Sequence, residues 1–457
     1  MTPAASWLND SDGTIRTLLT AMADDPSGAF APSVYETGRV VRHTPSLSGH
    51  DRRIGYLLDA QGADGRWGGP GDYDLVPTLS ATEALLAEST RPGGHPRAGH
   101  AAERGLRALA HRLTPTTTLP DTVAVEAIVP ALVTELNAHL ERRGAEPLPV
   151  PESTNPALLD ALRGAAAQGH ALPEKLLHSL ELVGEHARAA RFVTPVEGRV
   201  VGCSPAATAV WLGDDGVRSS GHPCVEYLES VQAADGGMPV AAPLALFERS
   251  WVLSTLADSD IDPDVPSDVL SGLLDSVHAA FGDEGAAGGA GLPPDVDDTA
   301  TALHALSLWK SPRSAECLWH YADGDHFACF PAERTPSPSA NAHVLQALGA
   351  AVAPETTGPV PQHDRARYSE TARTVTRWLC EWQHPDGSWT DKWHASPYYA
   401  TVCCATALAR YGGDDARRAV RGAVDWVLTT QRSDGSWGRW FGTREETAYA
   451  VRLLLRA

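Results

Sequence analysis

Apolar residues fall at helical spacing through most of the chain. The segments TLSATEALLAEST (78–90), EKLLHSLELVGEHARAA (174–190) and TATALHALSLWK (299–310) show it most clearly. The alternation of apolar and polar residues that marks a strand is scarce. Clusters of Gly, Pro and Asp separate the apolar stretches, as in QGADGRWGGPGDYD (61–74) and GDEGAAGGAGLPPD (282–295). The pattern predicts an all-α chain of many short helices. The 34 prolines spread along it exclude a continuous coiled coil.

A repeat runs through the turns. Gln61-x3-Gly65-x-Trp67 recurs as Gln383-x3-Gly387-x-Trp389 and Gln431-x3-Gly435-x-Trp437, with a degenerate copy in Gln232, Gly236 and Met238. Each copy follows one helical segment and precedes another. Glycine permits a positive φ in the turn. Tryptophan covers an adjoining helix end, and the glutamine amide bonds terminal backbone groups. None of these residues is reactive, so the repeats read as staples between helices. Helical hairpins of this kind stack into an open solenoid or close into an α/α barrel, and the irregular spacing leans toward the barrel.

Composition narrows the function. The chain has 457 residues, 57 Asp+Glu against 37 Lys+Arg, and a formal charge of −20. Such a field repels phosphate backbones and speaks against a general nucleic-acid partner. It leaves room for one anionic small substrate held by a metal ion or a local basic pocket. The length suggests two or three domains. Seven cysteines without a Cys-x-x-Cys pair read as reduced thiols of a cytoplasmic protein. The N-terminal stretch MTPAASWLNDSDG has neither the basic nor the apolar region of a signal peptide. No apolar run of about 18 residues spans a bilayer, which leaves only loose membrane contact open.

The informative stretch is Pro293-Pro294-Asp295-Val296-Asp297-Asp298-Thr299-Ala300, three carboxylates in four positions at the mouth of an apolar helix. One aspartate there caps the helix, and the dipole welcomes its charge. Three crowded together repel one another. Repulsion and burial raise a carboxyl pKa while the helix N-terminus lowers it. Where the first two win, one aspartic acid stays protonated at neutral pH and becomes a proton donor in an apolar cavity. Capping and metal binding remain the alternatives at this point.

Asp295-Val-Asp297-Asp298-Thr-Ala resembles the D-x-D-D-T-A motif of class II terpene cyclases, and the Q-x3-G-x-W repeats resemble those of the squalene–hopene cyclase group. The likeness extends through YETGRVV (35–41), LVPTLSATEALL (75–86), DTVAVEAIVPAL (121–132), LPEKLLHSLE (172–181) and CSPAATAVWL (203–212). It continues in GGMPVAAPLALFERSW (236–251), FACF (327–330), SANAHVLQAL (339–348) and DKWHASPYYAT (391–401). Together these are most similar to bacterial class II diterpene cyclases. The resemblance implies protonation of a terminal alkene of a prenyl diphosphate, cyclisation through carbocations, and a product that keeps its diphosphate. Geranylgeranyl diphosphate going to a copalyl or labdane-type bicycle is the leading expectation, with farnesyl diphosphate going to drimenyl diphosphate as the C15 alternative. None of the Asp-Asp pairs completes the Asp-Asp-x-x-Asp of class I synthases, and no stretch is left for such a domain. A separate class I enzyme or a phosphatase is therefore expected to act next.

The resemblance also assigns roles. Asp297 is the acid, Asp295 and Asp298 hold its geometry, and His343 stands beside it, or is only a helix histidine. Glu126, alone in an apolar run, is the expected carboxylate toward a Mg²⁺–diphosphate. Lys392 is a candidate diphosphate contact, Arg39 and Arg444 weaker ones, and a solvated surface charge is the alternative for all three. His178 matches the terminal base of plant ent-copalyl diphosphate synthases, but the asparagine paired with that base is Val240 here. Trp251, Trp309, Trp393, Tyr398 and Tyr399 lie in segments that match the cavity wall, where aromatic faces stabilise cations; core packing is the alternative for each. Two α/α barrels are implied, a β domain of 1–43 plus 262–457 and an inserted γ domain of 44–261, with DSDIDPDVPSD (258–268) as linker. With the acid in one and Glu126 in the other, the substrate is expected to bridge them. Two other classes compete. An α/α-barrel glycosidase would take its two acids from well-separated loops, and a non-catalytic helical scaffold would have no reason to crowd three aspartates.

Overall fold

The computed structural model describes residues 4–219, 221–259, 261–331, 333–353 and 362–457. Among them lie seventeen α-helices and two antiparallel pairs of two-residue strands, Pro32–Ser33 with Met238–Pro239 and Ala322–Asp323 with His326–Phe327. No helix among the described residues is long and apolar enough to cross a membrane.

The chain forms two compact units. One comprises Met1–Gly28, Ala245–Gly288 and Pro294–Ala457, and the other, inserted into it, Ala29–Leu244 and Gly289–Pro293. These borders differ from those expected at 43/44 and 261/262. Helix Val34–His43 belongs to the inserted unit because it buries Val40 and Val41 among that unit's apolar side chains. Helix Ala245–Asp258 belongs to the acid-bearing unit because Leu253 and Leu256 pack with Ala302 and Leu306 of helix Val296–Leu308. The division therefore precedes that helix instead of following it.

In the acid-bearing unit, helices Ala245–Asp258, Val296–Leu308, Pro338–Val352, Pro397–Tyr411 and Arg444–Arg456 each pack on the next. Helices Ser267–Ala279, Gln362–Glu381 and Arg417–Thr429 alternate with them along the chain. This is the inner-and-outer alternation of an α/α barrel. Burial separates the two layers. Every residue from Pro338 to Ala351 is buried, whereas Arg417–Thr429 buries one face through Ala419, Ala423, Trp426 and Val427. In the inserted unit, Leu75–Ser89 packs on Val34–His43 and on Val125–Arg142, and Pro205–Arg218 packs on Val34–His43.

The repeats act as staples. Trp67, Trp389 and Trp437 donate their indole N–H to the carbonyls of Leu57, Leu379 and Val427 at 2.6, 2.9 and 2.7 Å. The amides of Gln61, Gln383 and Gln431 donate to Gly65, Gly387 and Gly435 within 3.0 Å. Gly387 has φ +98°, and a Cβ there would run into the Gly422 carbonyl, so only glycine fits. One expected helix is not regular. Glu174–Ala187 is a series of 3₁₀ turns broken at Ser179 and at Gly184, whose φ is 59°. Glycine there releases the chain from the helix that its apolar spacing suggests.

Candidate active site

Five inner helices open with one arrangement. Ser33, Ser204, Asp295, Ser337 and Thr443 are N-caps whose side chains accept from the N–H three residues on. Four residues after each cap stands Thr37, Thr208, Thr299, Asn341 or Thr447. Each accepts a backbone N–H from a turn outside its own helix, that of Met238, Val201, Ala286, Phe327 or Trp437. The acidic motif is this arrangement with an aspartate as cap: Asp295 accepts from Asp298 N–H at 2.9 Å. Thr299 clamps Ala286 at 2.9 Å. Capping thus accounts for one carboxylate and leaves Asp297 and Asp298 in the first helical turn.

Those two have different surroundings. Asp295 is buried and Asp298 half-buried, and the two carboxyl groups lie close enough to influence each other. Burial pushes Asp298 well above the usual carboxylate range, and the charge of Asp295 and their shared hydrogen bond add to it. Burial also pushes Asp295 up to about 7, against its bonds from Asp298 and with the help of the Asp297 charge. Burial and repulsion thus outweigh the helix N-terminus at these two positions. One oxygen of Asp298, Oδ1, is buried without a partner among the described residues. Asp297 instead meets an imidazole: His343 Nδ1 lies 2.6 Å from its Oδ1. Burial pulls His343 down, but the charge and hydrogen bond of Asp297, with a further bond to Cys403, carry it up to about 10. The histidine is a partner of Asp297 and not simply a packed helix residue.

Aromatic rings close around this pair. Trp251 meets the His343 ring edge-on at 5.1 Å and donates its indole N–H to the Tyr399 hydroxyl at 3.2 Å. Phe247 stacks on Trp251 at 4.3 Å, and His394 on Tyr399 at 4.6 Å. Phe247 and Cys403, absent from the expected set, each sit one helical turn from an expected residue, Trp251 and Tyr399. That spacing was the signal available for them.

Other expected wall residues stand elsewhere. Trp309 donates to the Leu253 carbonyl at 3.0 Å and packs with Leu253 and Leu306 in the core. Tyr398 packs at a tilt against Trp426, 4.6 Å between ring centres. Trp393 is 42 % exposed, with its indole N–H on Cys329 Sγ at 3.1 Å. Lys392 is neither a solvated charge nor a free one: its ammonium pairs with Glu333 at 2.5 Å and donates to the Thr335 carbonyl. Arg444 is exposed at the start of the last helix and makes no ion pair among the described residues.

In the inserted unit, Arg39 departs from expectation. It is buried and held by Glu83 and Glu135, both at 2.7 Å, so its charge is already neutralised inside the unit. Glu126 lies half-buried in the first turn of helix Val125–Arg142, and its carboxylate has no hydrogen-bond or ion-pair partner among the described residues. Among those residues no group of three or more His, Cys, Asp or Glu could cage a metal. A single free carboxylate fits Mg²⁺, which keeps most of its waters and takes its other ligands from phosphate oxygens. His178 places Nδ1 2.7 Å from the Gly202 carbonyl. A carbonyl only accepts, so Nδ1 carries the proton and Nε2 the lone pair. Burial lowers its pKa, against that bond, and favours the neutral ring. Gly202 has φ +56°, and a Cβ there would collide with the His178 nitrogen and the Leu177 carbonyl. Val240 is 48 % exposed.

Comparison with known proteins agrees with this geometry. The squalene-hopene cyclase C-terminal domain profile matches residues 339–452. An ent-copalyl diphosphate synthase of Streptomyces sp. (strain KO-3988) is 46% identical over 96% of this chain and 83% of its own length. A labda-7,13-dienyl diphosphate synthase of Streptomyces clavuligerus is 42% identical over 96% of this chain and 82% of its own. The solved ent-copalyl diphosphate synthase from Streptomyces platensis superposes with a TM-score of 0.89 at 44% identity, covering 97% of this chain and 88% of that one. The chain belongs to the class II terpene cyclases, in the group of the bacterial copalyl diphosphate synthases.

Proposed function

We propose that this enzyme cyclises geranylgeranyl diphosphate to a copalyl-type bicyclic diphosphate, with Asp297 as the proton donor. One observation carries the reading: Asp297 has an imidazole on Oδ1 at 2.6 Å and aromatic rings packed behind that imidazole. Oδ2 is then the oxygen that carries the transferable proton. Its transfer to the terminal alkene makes a tertiary carbocation and leaves a carboxylate on Asp297, which the His343 imidazolium stabilises. The neighbouring double bonds attack in turn, and the diphosphate stays on the product. Trp251 and Tyr399 give the cation π-faces and no nucleophile. The names of the relatives, copalyl and labdadienyl diphosphate synthases, support the C20 substrate over farnesyl diphosphate.

Glu126 would hold Mg²⁺ against the diphosphate, supplying charge neutralisation to an anion entering a strongly acidic protein. The neutral ring of His178, with Nε2 unprotonated, supports it as the base that takes the final proton. The product still carries its diphosphate, so a class I synthase or a phosphatase would consume it. Seven free thiols support a cytoplasmic setting. Incubating purified enzyme with geranylgeranyl or farnesyl diphosphate and Mg²⁺, then dephosphorylating for mass spectrometry, tests the reading. A C20 bicyclic alcohol is expected. Conversion of farnesyl diphosphate alone would overturn the substrate assignment.

A further inference from the structure

Asp391, Lys392 and Trp393 are consecutive, and their contacts lead to both halves of the acid pair. The Asp391 carboxylate accepts from the Ser337 hydroxyl at 2.7 Å and the Ser339 N–H at 3.0 Å. Those residues open helix Pro338–Val352, which carries His343. On the other side, Lys392 pairs with Glu333 Oε1 at 2.5 Å. Glu333 Oε2 accepts the Cys329 N–H at 2.8 Å, and the Cys329 carbonyl accepts the Val296 N–H at 3.1 Å. Val296 lies between Asp295 and Asp297, and its N–H has no acceptor within its own helix. Trp393 fixes the same Cys329 through its side chain at 3.1 Å.

We infer that Asp391-Lys392-Trp393 is the brace that sets the separation of Asp297 and His343. Lys392 is a positioning residue acting through Glu333 and the Cys329 peptide, and not a ligand of the diphosphate. The physical ground is the chain of contacts. A lysine whose ammonium holds a carboxylate and a carbonyl, with 11% of its side chain exposed, has two of its three donors engaged and its charge already paired. The link from Glu333 to Val296 is unbroken, and the Asp391 link starts from the next residue. A shift of about 1 Å in an acid of this kind costs on the order of a hundredfold in rate.

The inference rests on Asp297 as the acid, and its test is arranged to separate the two. Lys392→Gln, Glu333→Gln and the double variant are assayed as full chains with geranylgeranyl diphosphate and Mg²⁺. Each single variant is expected to lower kcat by about tenfold or more. KM and inhibition by inorganic diphosphate stay near their parent values. The double variant is no worse than the worse single one, because both act through one link. Lys392→Arg restores most of kcat. The double variant leaves no uncompensated buried charge, so it reports on the brace even where a single variant fails to fold. Parent kcat in the double variant overturns the inference. So does a Lys392→Gln enzyme with parent kcat, a raised KM and weakened inhibition by inorganic diphosphate. Asp297→Ala is run alongside. Turnover retained there overturns the acid assignment itself; turnover lost there but kept in the double variant overturns only the brace.

Discussion

An alkene is a poor base, so a carboxylic acid protonates it only where the acid is kept from water and its carboxylate is stabilised as it forms. Asp297 has the second condition in His343 at 2.6 Å. Replacing His343 by Ala is expected to lower kcat roughly a hundredfold, within the usual range for assisted proton transfer. Burial pushes the Asp298 carboxyl well above the usual range, so Asp298→Asn, close in shape to a neutral acid, should keep far more turnover than Asp297→Asn, measured as product formed per enzyme. Asp295 makes a pH prediction. Its folded pKa of about 7 stands above the ordinary 3.8. Its contribution to stability is full below the ordinary value and is lost as pH rises through about 7. Thermal melts should therefore fall less from about pH 4 to pH 7 in Asp295→Asn than in the parent. Sequence resemblance pointed to Asp297 and His343 because both stand in contiguous motifs. It misplaced Arg39 because a sequence shows a charge but not the Glu83 and Glu135 that neutralise it.

The acidic motif is a variation on the way inner helices of this protein begin, with a polar cap and a clamp four residues later. Thr299 carries the clamp for the helix of Asp297, accepting the Ala286 N–H. Thr299→Val leaves a buried N–H unpaired and should cost about 1–3 kcal/mol in denaturant unfolding, with turnover falling as the first turn loosens. The stapling tryptophans were legible because their motif is local. The clamps were not, because each partner lies on a turn outside the helix and Asn341 does the work that threonine does elsewhere. The break inside Glu174–Ala187 carried a local signal in Gly184, which apolar spacing alone overrode.

A charge of −20 sets the terms on which an anionic substrate is bound. The basic residues that resemblance proposed for the diphosphate do not form a free cationic set: Arg39 and Lys392 are already paired. On the proposal that Mg²⁺ holds the diphosphate, chelation by EDTA should abolish turnover. Glu126→Gln should raise the Mg²⁺ concentration for half-maximal rate by roughly tenfold. The division of the chain was legible only in outline. An insertion leaves no mark on apolar spacing, and helix Ala245–Asp258 precedes the linker-like stretch that suggested the border. Deuterium labelling reaches the main point with least intervening inference. Turnover of geranylgeranyl diphosphate in D₂O should give a cyclic diphosphate with one deuterium on the ring methylene next to the gem-dimethyl carbon, and Asp297→Ala should give no cyclic product. A product free of deuterium, or release of diphosphate during cyclisation, would contradict the account.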